Sequence, residues 1–183
     1  MPISMALKST IHKAELQIAD MDRGYYADHA VTVAKHPSET DERMMVRLLA
    51  YAHGASDRLA FGKGISDTDE PDLWERDLTG AIERWVDVGL PDERRLAKAA
   101  GRAREVVVYA YGARAVPVWW GEIEPKLARL SNVIVYGVPA DASRGLEALA
   151  RRTMKLQFTI QEGHVLVTSD DGSVSFDLER LRG

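Results

Sequence analysis

Polar and apolar residues alternate from Lys13 to Ile18, which puts Ala14, Leu16 and Ile18 on one face of a half-buried strand. Asp20-Met21-Asp22-Arg23-Gly24 reads as a turn, and alternation resumes from His29 to Lys35, so a long N-terminal hairpin is expected. The period then changes. Met44, Met45, Leu48, Leu49 and Ala52 form one helical stripe, with Ser38 as N-cap, Asp41 completing a capping-box pattern and Gly54 ending the helix. Arg58 to Phe61 is a short strand, Gly62 to Arg76 a polar loop, and Gly80 to Val88 a strand closed by Gly89.

Pro91, Asp92 and Glu93 open a second helix, whose buried stripe is Leu96, Ala99, Ala100 and Ala103. The unbroken apolar run Val106 to Tyr109 is a central strand covered on both faces. Trp119 to Leu130 reads as a helix despite Pro125, Val133 to Tyr136 as a buried strand, and Ser143 to Arg152 as a short helix. Lys155 to Gln161 alternates strictly, with Leu156, Phe158 and Ile160 inward. Turns at Gly163 and Asp171-Gly172 join it to Val165–Thr168 and Val174–Leu178. Strands alternating with helices imply an α/β fold: a mixed sheet flanked by helices, with added N- and C-terminal β-hairpins. No repeat or linker divides the chain, so one domain over 1–183 is expected.

Composition excludes several classes. Hydrophobic residues make up 45% of the 183-residue chain, enough for a core, and there is no cysteine for a thiol nucleophile, an iron–sulfur cluster or Cys-ligated zinc. No apolar run approaches the ~20 residues of a membrane helix. Met1 to Thr10 lacks the basic start and apolar centre of a leader, so a cytoplasmic protein is expected; a monomer is the default expectation, which no sequence feature argues for or against. The net charge of −4 argues against a basic coat but leaves room for a local basic groove. Walker A, Gly-x-Gly-x-x-Gly and Gly-x-Ser-x-Gly motifs are absent, and the five histidines have no zinc spacing on one helix.

The strand from Gly80 to Gly89 carries the most pointed chemistry. Glu83, Trp85 and Asp87 share one face with Ala81, and two acids on a central strand need cations, hydrogen bonds, a metal or water. Four residues separate Glu83 from Asp87, roughly 13 Å along a strand, so a single Mg²⁺ with ligands at about 2.1 Å would combine one of them with acids from elsewhere. Asp69 and Glu70 in the preceding loop are the nearest candidates, followed by Asp77, and Glu42 lies at the edge of the first helical stripe. Lys98 is the obvious lysine after the strand, although the wheel puts it opposite Leu96 and Ala100. Arg94, Arg95, Lys63 and Arg152 compete as cations. A surface ion pair with Arg43 or Arg47 is the plainer reading of Glu42, and packing the plainer reading of Trp119-Trp120, which otherwise suits base stacking.

Four segments carry a family resemblance. His36-Pro37-Ser38-Glu39-Thr40 with Glu42-Arg43-Met44-Met45, Asp69-Glu70-Pro71, Gly89-Leu90-Pro91-Asp92-Glu93-Arg94-Arg95, and Arg152-Thr153-Met154 with Leu156-Gln157 and Thr159-Ile160-Gln161 together resemble the YaeQ family of bacterial proteins. Met1-Pro2-Ile3-Ser4 before Met5 is the main departure. The resemblance implies a restriction-endonuclease-like fold with a variant PD-(D/E)XK nuclease motif. On that pattern Glu70 or Asp69 stands for the first metal-binding acid, Glu83 or Asp87 for the second, Lys98 for a displaced lysine and Glu42 for a helix acid. Trp85 and Gly89 occupy the two positions where the motif carries lysine.

Two functions follow as expectations. One is a Mg²⁺-dependent nuclease that hydrolyses phosphodiesters with Glu83, Asp87, Lys98 and Glu42 as catalytic groups, Asp69, Glu70, Glu83 and Asp87 around the metal, and Arg94, Arg95, Arg152 and Lys63 on nucleic acid. The other is a non-catalytic module on a nuclease-like scaffold, binding nucleic acid or protein through arginines that include Arg47, Arg58 and Arg151. A third, plainer reading has arginines merely neutralising the strand acids.

Overall fold

The computed structural model describes residues 8–183. The leader reading of Met1 to Thr10 and the Met1–Ser4 extension therefore fall largely outside the described residues. Strands β1 (Thr10–Asp20) and β2 (Tyr25–Lys35) form the expected hairpin, paired in register from Thr10↔Lys35 to Asp20↔Tyr25. Ala14, Leu16 and Ile18 of β1 are buried, as the alternation requires.

Helix α1 (Asp41–His53) starts two residues later than the Ser38 cap implies. Thr40 is the N-cap and its hydroxyl accepts from Arg43 N, while the Ser38 hydroxyl is held by His36 Nδ1 at 2.7 Å. Every residue from Met44 to Ala52 is buried, rather than one stripe. A helix buried all round lies inside the protein, and α1 does: it packs between two sheets.

Beyond α1 come β3 (Leu59–Phe61), β4 (Leu73–Arg76), β5 (Ile82–Val88), α2 (Glu93–Arg102), β6 (Ala103–Ala110), α3 (Ala115–Ile123), β7 (Val133–Gly137) and α4 (Ala140–Ala148). The segment read as a polar loop to Arg76 thus ends in a strand. β4 is only four residues long and follows Pro71, too short for periodicity to show. Asp92 caps α2 by accepting from Arg95 N, and a 3₁₀ turn at Glu124–Leu127 replaces the helix expected to reach Leu130. The chain closes with β8 (Thr153–Gln161), β9 (His164–Ser169), β10 (Gly172–Asp177) and β11 (Glu179–Arg182).

The terminal hairpins do not extend the central sheet. They build their own five-stranded sheet, ordered β10-β9-β8-β1-β2, in which β1 and β8 run parallel from Lys13↔Thr153 to Asp20↔Ile160. The second sheet has six strands, ordered β11-β7-β6-β5-β4-β3, with parallel pairs at its centre and antiparallel pairs at both edges. One apolar cluster joins the inner face of the first sheet to α1, α4 and one face of the second. Another packs the far face of the second sheet, including Trp85, Val106 and Val135, on α2 and the turn after α3. The molecule is a mixed α/β structure of two mixed sheets and helices in four layers. No helix of the described residues is long and apolar enough to cross a membrane.

Candidate functional site

β4 and β5 pair antiparallel with Leu73 opposite Val86, which brings Asp72, just before β4, beside Asp87 and Val88 at the end of β5. Both carboxylates are buried. Asp72 Oδ2 accepts from Val88 N at 2.8 Å and its Oδ1 from Arg43 Nη2 of α1 at 2.7 Å. Arg95 of α2 clasps Asp87 with both edges of its fork, Nε to Oδ2 at 2.7 Å and Nη2 to Oδ1 at 3.0 Å. Burial pushes the Asp87 carboxyl above the usual carboxylate range. The Arg95 guanidinium opposes that push, and the charge of Asp72 adds to it. The Trp85 indole N–H lies near enough to Asp87 to favour its charged form, but not in a geometry that makes a hydrogen bond.

The two acids sit in a wider alternation of charge. Arg43 Nη1 donates to Glu39 Oε2 at 2.7 Å, and Arg47 donates to both Glu39 oxygens, from Nε to Oε2 at 2.8 Å and from Nη2 to Oε1 at 2.5 Å. Glu39 and Arg47 are buried, so Arg47 is a core ion-pair partner and not the surface contact that the binding reading expects. Three acids, Glu39, Asp72 and Asp87, meet three arginines, Arg43, Arg47 and Arg95. Buried charges persist when paired and hydrogen-bonded in this way.

Segment 62–71 closes over the pair. Gly64 holds φ +51°, and a Cβ there would collide with Asp72 Oδ1, so its backbone rests directly on the carboxylate. Arg95 also donates to Thr68 O at 2.9 Å and Glu70 O at 3.0 Å, Arg102 donates to Asp69 O at 2.9 Å, and Lys98 Nζ reaches Asp69 Oδ1 at 2.6 Å. A residual cavity of about 230 Å³ remains between Arg43, Arg95, Ile65, Leu90 and the acids.

Of the acids expected around a metal, Asp87 is in this site and the others are elsewhere. Glu83 pairs with Arg104 at 3.2 Å, and exposed Asp69 is committed to Lys98. Glu70 Oε2 accepts from Lys63 N at 2.9 Å. Glu42 accepts from Ser143 Oγ of α4 at 2.9 Å, and Asp77 Oδ1 stabilises a turn by accepting from Thr79 N and Ala81 N. Lys98 lies on the outer face of α2 with exposed Arg94, while Arg152 donates to Ile11 O on the other sheet. Asp72 and Arg43 are the partners that sequence reasoning missed. The signal was there: Asp72 directly follows the Asp69-Glu70-Pro71 motif.

A magnesium ion does not fit this arrangement. All four oxygens of Asp72 and Asp87 already take a donor, and two guanidinium charges occupy the place of a divalent cation. Among the described residues no three His, Cys, Asp or Glu side chains are grouped to hold a metal. Gly89, at the lysine position after Asp87, holds φ +112°, a conformation that side chains rarely adopt.

The outer face of α2 has a different character. Arg94, Lys98 and Arg102 recur every fourth residue, and all three are exposed. Trp119 and Trp120 of α3 are half-buried, with Trp119 Nε1 fixed to Pro91 O at 2.8 Å ahead of α2.

A family model described as YaeQ protein matches residues 5–178. Uncharacterized protein YaeQ of Escherichia coli (strain K12) is 42% identical over 174 residues, covering 95% of this chain and 96% of that one. Its counterpart in Salmonella typhi is 43% identical with the same coverage. The crystal structure of YaeQ protein from Xanthomonas axonopodis pv. citri superposes with a TM-score of 0.93 at 49% identity, covering 96% of this chain and 99% of that one. The YaeQ protein from Pseudomonas syringae gives 0.92 at 43% identity, with 96% and 97% covered.

Proposed function

The chain belongs to the YaeQ family, and on that premise we propose that it is a nucleic-acid-binding module on a nuclease-like scaffold whose acid pair is neutralised by arginines. The restriction-endonuclease-like reading draws support from the order α1, antiparallel β3-β4-β5, α2 and parallel β6. Within that reading Pro71-Asp72 and Asp87-Val88-Gly89 stand where the PD-(D/E)XK motif has its acids, with glycine in place of lysine. The observation that carries the binding function is the bidentate Arg95–Asp87 clasp beside the Arg43–Asp72 pair. It leaves no carboxylate oxygen without a donor. What the surface then offers to a phosphodiester is the row Arg94, Lys98 and Arg102, in which Lys98 is shared with exposed Asp69, with half-buried Trp119 fixed to Pro91 ahead of α2 as a base-stacking candidate.

The test is fluorescence anisotropy with single-stranded oligonucleotides across a salt series. Changing Arg94, Lys98 and Arg102 together to Glu is expected to weaken binding and to lower the salt slope by about 2, at about 0.7 per phosphate contact for single strands. Binding that ignores salt and these substitutions would overturn the reading.

One observation favours a second function, metal-dependent phosphodiester hydrolysis: Asp72, just before β4, lies beside Asp87 of the neighbouring β5. It requires Arg95 and segment 62–71 to move away. Cleavage of DNA or RNA with Mg²⁺ or Mn²⁺ that disappears in both Asp72→Asn and Asp87→Asn proteins would establish it in place of the first.

A further inference from the structure

Where α1 ends, the two sheets part around a cleft of about 450 Å³, the volume of a small-metabolite site. The last turn of α1 contributes His53, β5 contributes Arg84, and β6 and β7 contribute the stacked rings of Tyr109 and Tyr136. Arg180 of β11 lies at the rim, 5.9 Å from the Tyr136 ring centroid.

The donors in this cleft outnumber its open acceptors. His53 Nδ1 is 2.7 Å from the Tyr109 hydroxyl, which is buried and has no other hydrogen-bond partner among the described residues. The phenol therefore donates to Nδ1, because the opposite tautomer would leave its O–H without an acceptor in the core. Nε2 then carries the ring proton. It has no acceptor among the described residues and is not sealed from the cleft. Burial holds the imidazole pKa down to about 4, so this donor persists uncharged at neutral pH.

Arg84 spends Nη1 on Gly54 O at 2.8 Å. Its other two nitrogens find acids only at 3.6 Å (Glu75) and 3.9 Å (Glu105), too far to hydrogen-bond. Arg180 has no acid within ion-pair distance among the described residues. The facing acids are largely committed. Asp20 is bound by Arg23 at 2.6 Å, and Asp22 spends both oxygens on Glu162 N and Gly163 N. Glu105 is the one cleft acid left with only a long contact.

We propose that this inter-sheet cleft binds a small organic anion of nucleoside-monophosphate size, held through its phosphate or carboxylate by Arg84, Arg180 and His53 Nε2–H. This site is separate from the acid pair and from the α2 face.

Titration calorimetry on the full chain with AMP, benzoate and adenosine tests it. AMP or benzoate binds the unmodified protein, and which of the two binds separates a phosphate ester from a carboxylate. Arg180→Gln weakens that binding by about tenfold, the scale of a charge-assisted hydrogen bond. Gly54→Ala does the same without altering a charge, because its Cβ would come within 2.5 Å of Arg84 Nη1 and displace the guanidinium. Arg129→Gln, on the exposed turn that follows Glu124–Leu127 and outside the cleft lining, leaves binding unchanged, and thermal unfolding confirms that each variant folds. Three results overturn the proposal: adenosine binding as tightly as AMP, neither anion binding at millimolar concentration, or both Arg180→Gln and Gly54→Ala binding like the unmodified protein.

Discussion

Replacing Arg95 by Met isolates the clasp on Asp87. The variant keeps most of the aliphatic stem and removes the charge, two hydrogen bonds to Asp87 and two to segment 62–71. The Asp87 side chain is 3% exposed and that of Arg95 26%, so the orphaned carboxylate gains little help from water. Stranding a buried charge costs about 3–5 kcal/mol, and the partial exposure of Arg95 places this case near 3 kcal/mol at pH 8. Asp87 can relieve the cost by taking a proton. Burial already holds its folded pKa above the unfolded value, and losing Arg95 raises it further. The native state then binds the proton more tightly than the unfolded chain, so stability falls as pH rises through that interval. At pH 4, close to the pKa of the unfolded carboxyl, the loss should shrink to about 1 kcal/mol, the share left for the loop contacts. Urea unfolding at both pH values reads this directly: with m of about 1–3 kcal/mol/M, the pH 8 midpoint drops by roughly 1–3 M. A double variant, Asp87→Leu with Arg95→Met, should recover most of the stability. Equal losses at pH 4 and pH 8, or a loss under about 1 kcal/mol at pH 8, would refute the reasoning.

Three further outcomes are expected. Glu39→Gln removes the carboxylate shared by Arg43 and Arg47 and should cost about 3 kcal/mol by chemical denaturation, whereas a near-neutral result would show that Arg47 finds another partner. Gly64→Ala meets both a positive φ and the Asp72 carboxylate, so a loss of about 1–3 kcal/mol should accompany faster proteolysis within segment 62–71, and an intact segment would contradict the packing described. His53 has its folded pKa depressed to about 4, so the unfolded chain takes up its proton first as pH falls. Its contribution is complete above about pH 6.5 and is lost toward pH 4, amounting to roughly 3 kcal/mol; a His53→Phe variant should show a flatter acid limb, which calorimetric scans from pH 7 to pH 4 will reveal or deny.

Local features were legible in the sequence because local physics makes them. The inward faces of β1 and β8 follow from alternation, and the turns at Gly163 and Gly172 were marked by their residues. The pairing of β1 with β8 was not legible, because alternation shows which face is buried and says nothing about which strand lies alongside. The same gap produced a single sheet in the reading where there are two. α1 was recognised, yet its total burial follows from a second sheet that periodicity cannot reveal. At the candidate site Asp87 and Arg95 were both named, one as a metal ligand and one as a nucleic-acid contact. Only tertiary structure turns them into each other's partner, and only the β4–β5 register brings Asp72 beside them.

The parallel contact between β1 and β8 also sets a schedule for the newborn chain. Lys13 pairs with Thr153, so during synthesis the opening hairpin emerges from the ribosome long before the strand that flanks it. Until then one edge of β1 has no neighbour, and its apolar side has only part of the core to rest on. Closing so long a loop has an entropic cost of about 4 kcal/mol from its length alone, incurred before the contacts that reward it. Assembly of the first sheet is therefore gated by the arrival of β8, and a ribosome-stalled chain ending before β8 should remain protease-sensitive throughout β1 and β2.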